Sequence, residues 1–469
     1  MRYPKGLPLH TAWEEIASHL NSTSDLLSLA LTCHIFKELI IPDHLEFRHI
    51  RCDIRRNDVW KSLSSRPRPT RCILTLDLIH EPGEGVRLPR SLGWDKPDQT
   101  LHMTVPVTSE NMKFFKDALS HMACLKVFSW KQYKASFPET IDVSRVLTNT
   151  THCLEALRVD FRYMSSLNDR TQFENLSVWN LTNLKKVAIR HPGPAAVEMI
   201  VHLCPDIEDL YLDLSLTSFL YVMQHGNWKK LRRLNLSINF GPLPIFVPRD
   251  LDNPMIIGLF FVRNNNIESL YLEPWGVSMP DSLFLPKLRS IGSHHNFLPT
   301  SCLSRDTLLG LVHWQCPSGD IDFETLPKMN RLESFYLSTS SSCESFLASF
   351  IQKAHNLKKM YLKIGNYNEM DIPEILVNSC QCSKLTHLIW WVGNPPVNIL
   401  PGKPSTEQLE VCKKLSTLPA LTYIAEPDAK ICVKLLRDQD GIYSGYQLVA
   451  FEEVEEHPDR WSDFFTSIC

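Results

Sequence analysis

The chain has 469 residues and a mass of 54.0 kDa, enough for two or three ordinary domains or for one long repeat domain behind a small module. Its 43% hydrophobic and 22% charged residues are typical of a globular protein and exclude a largely disordered one. The net charge of -3 gives no overall attraction to nucleic acid, so we expect no nucleic-acid partner. Two basic runs, 48–56 and 229–233, interleave with apolar residues and are predicted to be solvated faces of structured elements.

The fourteen cysteines are scattered and form no Cys-x-x-Cys pair. Cys33, Cys153 and Cys204 lie in apolar periodic stretches, where a reduced cysteine acts as a small hydrophobe. The first residues lack the apolar core of a leader peptide, and the longest apolar run, 255–262, is too short to span a bilayer. We therefore expect a cytoplasmic or nuclear protein with no membrane contact.

In chain order, the first predicted elements are two or three short helices within the first fifty residues. Ile16 and Leu20 lie four residues apart on one helix face, and Ser22 or Ser24 is placed to cap the next helix ahead of Asp25. That second helix carries an apolar face with the members Leu26, Leu29, Ala30, Cys33 and Phe36. Leu27 and Leu31 lie off this face, so the helix is apolar on more than one side and is predicted to contact two partners.

This segment resembles an F-box, the part by which substrate receptors join the Skp–cullin–F-box ubiquitin ligases. The resemblance covers residues 5–50 and depends on Leu7-Pro8, Ile16-Ala-Ser-His-Leu20, Asp25-Leu-Leu27 and Leu31-Thr-Cys33 before an aromatic residue. The family has an acidic residue soon after Leu-Pro, where this chain has His10 and Thr11. The spacing from Leu7-Pro8 to Leu20 is one residue longer than in the family's pattern. The resemblance implies that the following residues bind the adaptor or form the core of the box: Leu7, Pro8, Ile16, Leu20, Leu26, Leu27, Leu29 and Cys33.

Residues 51–120 are predicted to be a transition segment. Within it, Arg66-Pro-Arg-Pro69 indicates a linker, and Ile73–Leu78 indicates the first strand of the larger C-terminal region.

From residue 121 to 425 a short phrase recurs: apolar, two variable, apolar, one variable, apolar. Its last two apolar residues alternate with variable ones, as in a strand with one buried face. The starts lie 20 to 36 residues apart, a period similar to that of leucine-rich repeats. The segments are 125–130, 154–159, 184–189, 207–212, 231–236, 267–272, 288–291, 308–311, 332–337, 357–362, 385–390 and 421–424.

Helical patterns at 195–203, 343–353 and 372–377 separate some of these phrases. Strand, turn, helix and turn in repetition predict an α/β fold: an N-terminal helical F-box followed by an irregular leucine-rich-repeat solenoid, with parallel strands on the concave face and helices outside. Residues 426–469 are predicted to be a C-terminal cap or tail.

The variable residues between the buried ones should face the concave surface of such a solenoid. The large or polar members of this row are Tyr211, Asn235, Tyr271, Tyr336, Tyr361 and, two residues further along its strand, Trp391. Tyrosine and tryptophan provide large contact areas with few rotatable bonds, so the row is a candidate target-binding strip. The alternative is that tyrosine is there as a good strand former.

No catalytic or phosphate-binding motif is present, and neither His294-His295 nor Cys380 with Cys382 has a second pair at metal-site spacing. We expect no cofactor and no metal. The prediction is a non-catalytic substrate receptor of a cullin-RING (Skp–cullin–F-box) ubiquitin ligase, which binds the Skp-family adaptor and, through it, a cullin. The repeats would hold an unknown target protein. A leucine-rich-repeat scaffold with no ligase role is the alternative. The irregular repeats also resemble those of fungal F-box families.

Overall fold

The structure is a computed structural model, and its description is confined to part of the chain. The described residues are 13, 16–17, 20, 22–79, 86–92, 109–131, 147, 153–160, 181–238, 254–273, 280, 283–293, 307–315, 329–339, 344–364, 372–378, 383–392, 406–425 and 431–450. They form two compact units. The first comprises Met1–Leu231 with Leu236–Phe246, and the second comprises Arg232–Asn235 with Val247–Cys469.

The first unit opens with a small helical module. Trp13, Ile16 and Ala17 are helical; the other elements are α1 (Thr23–Ala30), α2 (His34–Leu39) and a π-helical turn (Ile40–Leu45). Of the two candidate caps, Ser22 is the one used: its hydroxyl accepts the Asp25 amide at 3.2 Å. The module closes a core of its own with five buried residues: Ala17, Leu26, Ala30, Leu39 and Ile40.

Six parallel strands of the first unit pair with one another in chain order: β1 (His49–Asp53), β2 (Thr75–Ile79), β3 (Val127–Lys131), β4 (Ala156–Asp160), β5 (Lys186–Arg190) and β6 (Asp209–Leu214). The helices between them are α3 (Asn57–Ser64), α4 (Pro67–Arg71), α5 (Ser109–Ser120), α6 (Pro194–Leu203) and α7 (Leu216–His225). Arg90–Leu92 is a short 3₁₀ turn.

Alternation explains why these segments are strands. In β2, Leu76 and Leu78 are fully buried, whereas Thr75 and Asp77 are only partly covered. The parallel ladder places Leu76 beside Ile50 of β1 on one side and Phe128 of β3 on the other, so each strand adds a layer to one apolar face.

The division between the units falls within β7 (Arg233–Ile238). The second unit continues with β8 (Ser269–Glu273), β9 (Ser290–Ser293), β10 (Gly310–Gln315), β11 (Ser334–Thr339), β12 (Lys359–Ile364), β13 (His387–Val392) and β14 (Tyr423–Ala425), which pair in parallel in chain order. Its described helices are α8 (Pro254–Arg263), α9 (Glu344–Lys353), α10 (Ile372–Asn378) and α11 (Thr406–Leu415).

The last two described strands, β15 (Ile431–Arg437) and β16 (Tyr443–Ala450), break the parallel pattern. Both pair antiparallel, β15 with β14 and β16 with β15. The connecting turn is closed by the Asp438 carboxylate, which accepts the amides of Asp440 and Ile442 at 3.0 and 2.8 Å. Gly441 has φ of 76°, a conformation that side chains rarely adopt. A hairpin therefore comes after the parallel array, within the segment predicted to be a cap or tail.

The α/β class and parallel strands are confirmed: every phrase from 125–130 to 421–424 contains a strand, and the three helical patterns are α6, α9 and α10. This arrangement is compatible with a solenoid. Two local predictions are wrong. The first strand is β1, because its polar residues hide its apolar alternation, and Arg66–Pro69 is no linker. Pro67 sits at the first position of α4, where its missing amide costs nothing.

Candidate functional site

The helical module presents apolar side chains that its own core does not cover. Ile16 is 45% exposed, Leu27 46%, Leu31 74% and Ile35 69%. Leu27 and Leu31 lie one turn apart on the same side of α1, and the Leu31 amide donates to the Leu27 carbonyl. Another side of α1 carries Leu26 and Ala30, which lie in the module's core. Exposed apolar residues grouped on one small element are typical of a docking surface.

The structure divides the residues for which the resemblance implies adaptor binding into exposed and buried positions. Ile16, Leu27 and Cys33 are exposed, and Leu20 and Leu29 are half-buried. Leu26 is fully buried in the module's core, so of the two roles that the resemblance implies, adaptor contact or core of the box, it has the core position. Leu7 and Pro8 lie outside the described residues.

Sequence reasoning placed Leu31 with Leu27 off the main apolar face of the helix but missed Ile35, which is 69% exposed. The four-residue spacing from Leu27 to Leu31 and on to Ile35 was available as a signal.

The module is tied to the neighbouring strands by Arg48. Its guanidinium Nη2 donates a hydrogen bond to the carbonyl of Leu20, at the end of the module's first helical stretch. Arg48 directly precedes β1, and its own carbonyl accepts the Leu74 and Thr75 amides at the start of β2. One buried arginine thus contacts both elements, which holds the module against the first strands.

The basic run 48–56 is not the solvated face predicted from the sequence. Arg48, Arg55 and Arg56 are all buried, because each has a defined polar partner. Arg55 lies against the buried carboxylate of Asp53 through Nε and Nη2, and Arg56 contacts Asp58 at 3.0 Å. These arginines are therefore structural.

On the first unit the sheet face opposite the leucines carries polar and charged side chains as well as Tyr211. Tyr211 is buried there, and the charged side chains around it pair with each other: Lys186 with Asp209 at 3.7 Å and His191 with Asp213 at 3.6 Å. Tyr211 is only 4% exposed, which contradicts its predicted place on an open binding strip; the register places it beside Ala188 of β5.

Asn235 and Tyr271 in the second unit are also buried, which contradicts their predicted exposure. Asn235 is only 7% exposed, and neither its Oδ1 nor its Nδ2 has a hydrogen-bond partner. An unsatisfied buried amide of this kind costs about 1–3 kcal/mol.

Further along the second unit the face is open. Tyr336 and Tyr361 are partly exposed and stack on each other, with ring centroids 4.2 Å apart and planes 20° apart. The register places Tyr361 beside Ile389, so this part of the predicted row is continuous. Trp391 lies on β13 opposite Lys363, in the row above; its side chain is outside the described part.

The row below these tyrosines was missed from the sequence. It runs through Ser334, Lys359, His387 and Tyr423 on successive strands, and Lys434 of β15 continues it. The first four lie two residues before the variable residue that follows the second buried residue of each phrase, so they face the same side and could be found by counting back along the phrase. Lys434 lies opposite Tyr423 on the antiparallel strand. The antiparallel partner could not be found in this way.

The cysteines differ from one another more than their sequence setting suggests. Cys204 is buried as predicted, but Cys33 and Cys153 are exposed, because each lies at a chain turn next to an element rather than in its apolar face. Burial raises the pKa of Cys204 and of Cys412 to about 11.

Within the described ranges, no three side chains of His, Cys, Asp or Glu come together as metal ligands, and no helix there has the length and apolarity to cross a membrane. His294-His295 and Cys380 with Cys382 fall outside these ranges. Comparison with known proteins adds no assignment: no protein-family model matches the chain, and no curated protein matches it significantly.

Proposed function

We propose that this chain is a non-catalytic substrate receptor of a Skp–cullin–F-box ubiquitin ligase. The helical module would be an F-box that binds a Skp-family adaptor, and the parallel array would be an irregular leucine-rich-repeat solenoid that binds a target protein. The observation that carries the proposal is the division of α1: Leu26 and Ala30 close the module's core, while Leu27 and Leu31 remain exposed.

The division matters because the module does not need its outer face for its own stability. A buried leucine contributes about 1.5–3 kcal/mol, whereas the same side chain left in water contributes little. Exposing four large apolar residues on so small an element is explained if a partner covers them. The resemblance of residues 5–50 to an F-box implies that this partner is an adaptor of the Skp family.

The chain would act by bringing a target protein and the ubiquitin-transferring enzyme close together. The receptor would hold a target beside a ubiquitin-charged enzyme recruited through adaptor and cullin, and the chain would contribute orientation rather than reacting groups. Cofactors are not needed for this role.

The test is binding of the purified chain to a Skp-family adaptor. We expect the wild-type chain to co-elute with the adaptor and Leu27→Asp with Leu31→Asp to lose binding by at least about a hundredfold, because two carboxylates would be buried in an apolar interface. Met255→Asp with Leu259→Asp is the matched control, since these exposed residues have the same spacing on α8.

Failure of the wild-type chain to bind any adaptor tested, or equal binding by the Leu27/Leu31 variant, would contradict the proposal. Either result would favour the alternative of a leucine-rich-repeat scaffold with no ligase role.

A further inference from the structure

The open face of the second unit carries a continuous strip of cations and rings, which we call the basic-aromatic strip: Tyr336, Lys359, Tyr361, His387, Tyr423 and Lys434. The register places Tyr336 beside Tyr361 and, in the adjacent row, Lys359 beside His387, His387 beside Tyr423 and Tyr423 beside Lys434. Because strands are about 4.8 Å apart, Lys359 and Lys434, three strands apart, are separated by about 14 Å.

The rings of the strip are held in place by each other. Tyr336 and Tyr361 stack at 4.2 Å, and His387 stacks on Tyr423 with centroids 4.9 Å apart and planes 26° apart. The Lys434 ammonium lies 6.0 Å from the centre of the Tyr423 ring. A surface ordered in this way loses little conformational entropy when a ligand binds.

The charge of the strip is unbalanced. Among the described residues of β11 to β15, no Asp or Glu occupies a position on this face, and neither Lys359 nor Lys434 lies in an ion pair with a described carboxylate. Lys358, one residue away but off the face, does pair with Glu333 at 2.8 Å. The face of the first unit differs, since its Lys186 and His49 are paired with Asp209 and Asp77.

Next to the strip, four neighbouring strands carry small residues in one row of the sheet face. Ser269, Ser290, Gly310 and Ser334 lie side by side on β8 to β11, and the hydroxyls of Ser290 and Ser269 are hydrogen bonded at 2.7 Å. A Cβ on Gly310 would come within 2.9 Å of the Ser334 hydroxyl. An extended chain can therefore approach the sheet closely here and continue over Lys359 toward Lys434.

We infer that the basic-aromatic strip binds an extended, unmodified segment of a partner protein that is rich in Asp and Glu. The inference rests on the proposed function in that this partner would be the ligase target. Carboxylates would accept hydrogen bonds from the two ammonium groups and from tyrosine hydroxyls, and the aliphatic parts of the segment would pack on the rings.

The composition of the strip disfavours two other anions. Phosphate groups are typically held by the two-pronged guanidinium of arginine, and the face positions of β11 to β15 include none. Nucleic-acid binding draws its affinity from numerous phosphate contacts, about six to ten in a typical case, and the described strip has two lysines and one histidine.

The experiment is selection of a displayed library of random twelve-residue peptides against the full chain and against Lys359→Glu with Lys434→Glu. We expect Asp and Glu to be enriched at least about twofold over the input library by the wild-type chain, and Lys and Arg to be enriched instead by the charge-reversed variant. Lys413→Glu, which reverses an exposed charge on α11, should select the same acidic peptides as wild type.

One selected peptide, synthesised with a fluorescent label, gives the affinity. Binding should weaken about tenfold or more in the charge-reversed variant, stay within about twofold in Lys413→Glu and weaken as salt is raised. Circular dichroism of the variants checks that they are folded.

Selection of uncharged or basic peptides by the wild-type chain, or no enrichment at all, would overturn the inference. So would tighter binding of a labelled twelve-nucleotide oligouridylate than of the best acidic peptide. The adaptor experiment is independent of this one, because it tests the helical module. If the chain selects acidic peptides but binds no adaptor, the ligase proposal is contradicted and the inference about the strip stands.

Discussion

At the scale of single residues, the structure separates polar groups that hold the fold from those that are free to bind. The Asp53–Arg55 pair is buried and its charges neutralise one another, so removing one partner would leave the other as an unpaired buried charge. Lys359 and Lys434 have no described carboxylate beside them and lie on an open face. Both places carry basic side chains in the sequence, but only Arg55 has a carboxylate partner among the described residues.

Asn235→Leu should stabilise the protein. The amide of Asn235 is buried with no hydrogen-bond partner, and a leucine of similar size removes that penalty of about 1–3 kcal/mol. The measurement is the urea midpoint of unfolding, with Asn266→Leu, a partly exposed amide in the same unit, as the control. A lower midpoint for Asn235→Leu would show that the amide is satisfied in the folded protein.

The cysteines should differ in reactivity. At pH 8 a thiol with a pKa of about 11, as burial gives Cys204 and Cys412, is deprotonated in roughly one molecule in a thousand. A short iodoacetamide pulse read by mass spectrometry should label the exposed Cys33 and Cys153 and leave Cys204 and Cys412 unlabelled until denaturant is added. Equal labelling of all four in the native protein would contradict the buried positions of the last two.

At the scale of elements, the turn after α7 is defined by a close approach. A Cβ on Gly226 would lie 2.6 Å from both a Trp228 ring carbon and the Val222 carbonyl oxygen, and Trp228 is fully buried with its indole nitrogen bonded to the Ile200 carbonyl at 3.3 Å. Neither neighbour has room to move away.

Gly226→Ala should therefore lower stability by about 1–3 kcal/mol, the usual cost of overpacking. Gly258→Ala on α8 is the control, because nothing lies within 4 Å of its added methyl group and alanine favours helix. Thermal unfolding followed by circular dichroism measures both. An unchanged melting temperature for Gly226→Ala would show that the turn relaxes at little cost.

Elements with a clear period could be predicted from the sequence, and elements without one could not. The phrase Leu357-Lys-Lys-Met360-Tyr-Leu362 identifies β12, because two buried residues alternate with a variable one. Helix α8 was missed, since Pro254–Arg263 is apolar all round and shows no helical face. β1 was missed because only two of its five residues, Ile50 and Cys52, are apolar, and its buried Asp53 is paired with Arg55.

The open or covered state of the sheet face also could not be predicted. Tyr211 and Tyr361 occupy the same place in the repeated phrase, but one is buried and the other partly exposed. The repeated phrase does not contain the side chains of the adjacent strands, and these differ between the two places. Tyr211 lies on β6, where Asp209 and Asp213 pair with Lys186 and His191; Tyr361 lies between Tyr336 and Ile389.

At the scale of the whole molecule, the two described units have different proposed roles. The first contains the helical module with its uncovered apolar side and a set of strands whose polar face is internally paired. The second carries the basic-aromatic strip, and its last two described strands form an antiparallel hairpin. Adaptor docking and target binding are thereby proposed for separate surfaces, so mutations on one should leave the other unchanged.

The most direct test of the ligase proposal is isothermal titration of a purified Skp-family adaptor into the full chain and its variants. We predict a one-to-one complex for wild type, loss of at least about a hundredfold in affinity for Leu27→Asp with Leu31→Asp, and wild-type affinity for Met255→Asp with Leu259→Asp. A wild-type chain that takes up no adaptor, or a Leu27/Leu31 variant that binds as tightly as wild type, would contradict the proposal.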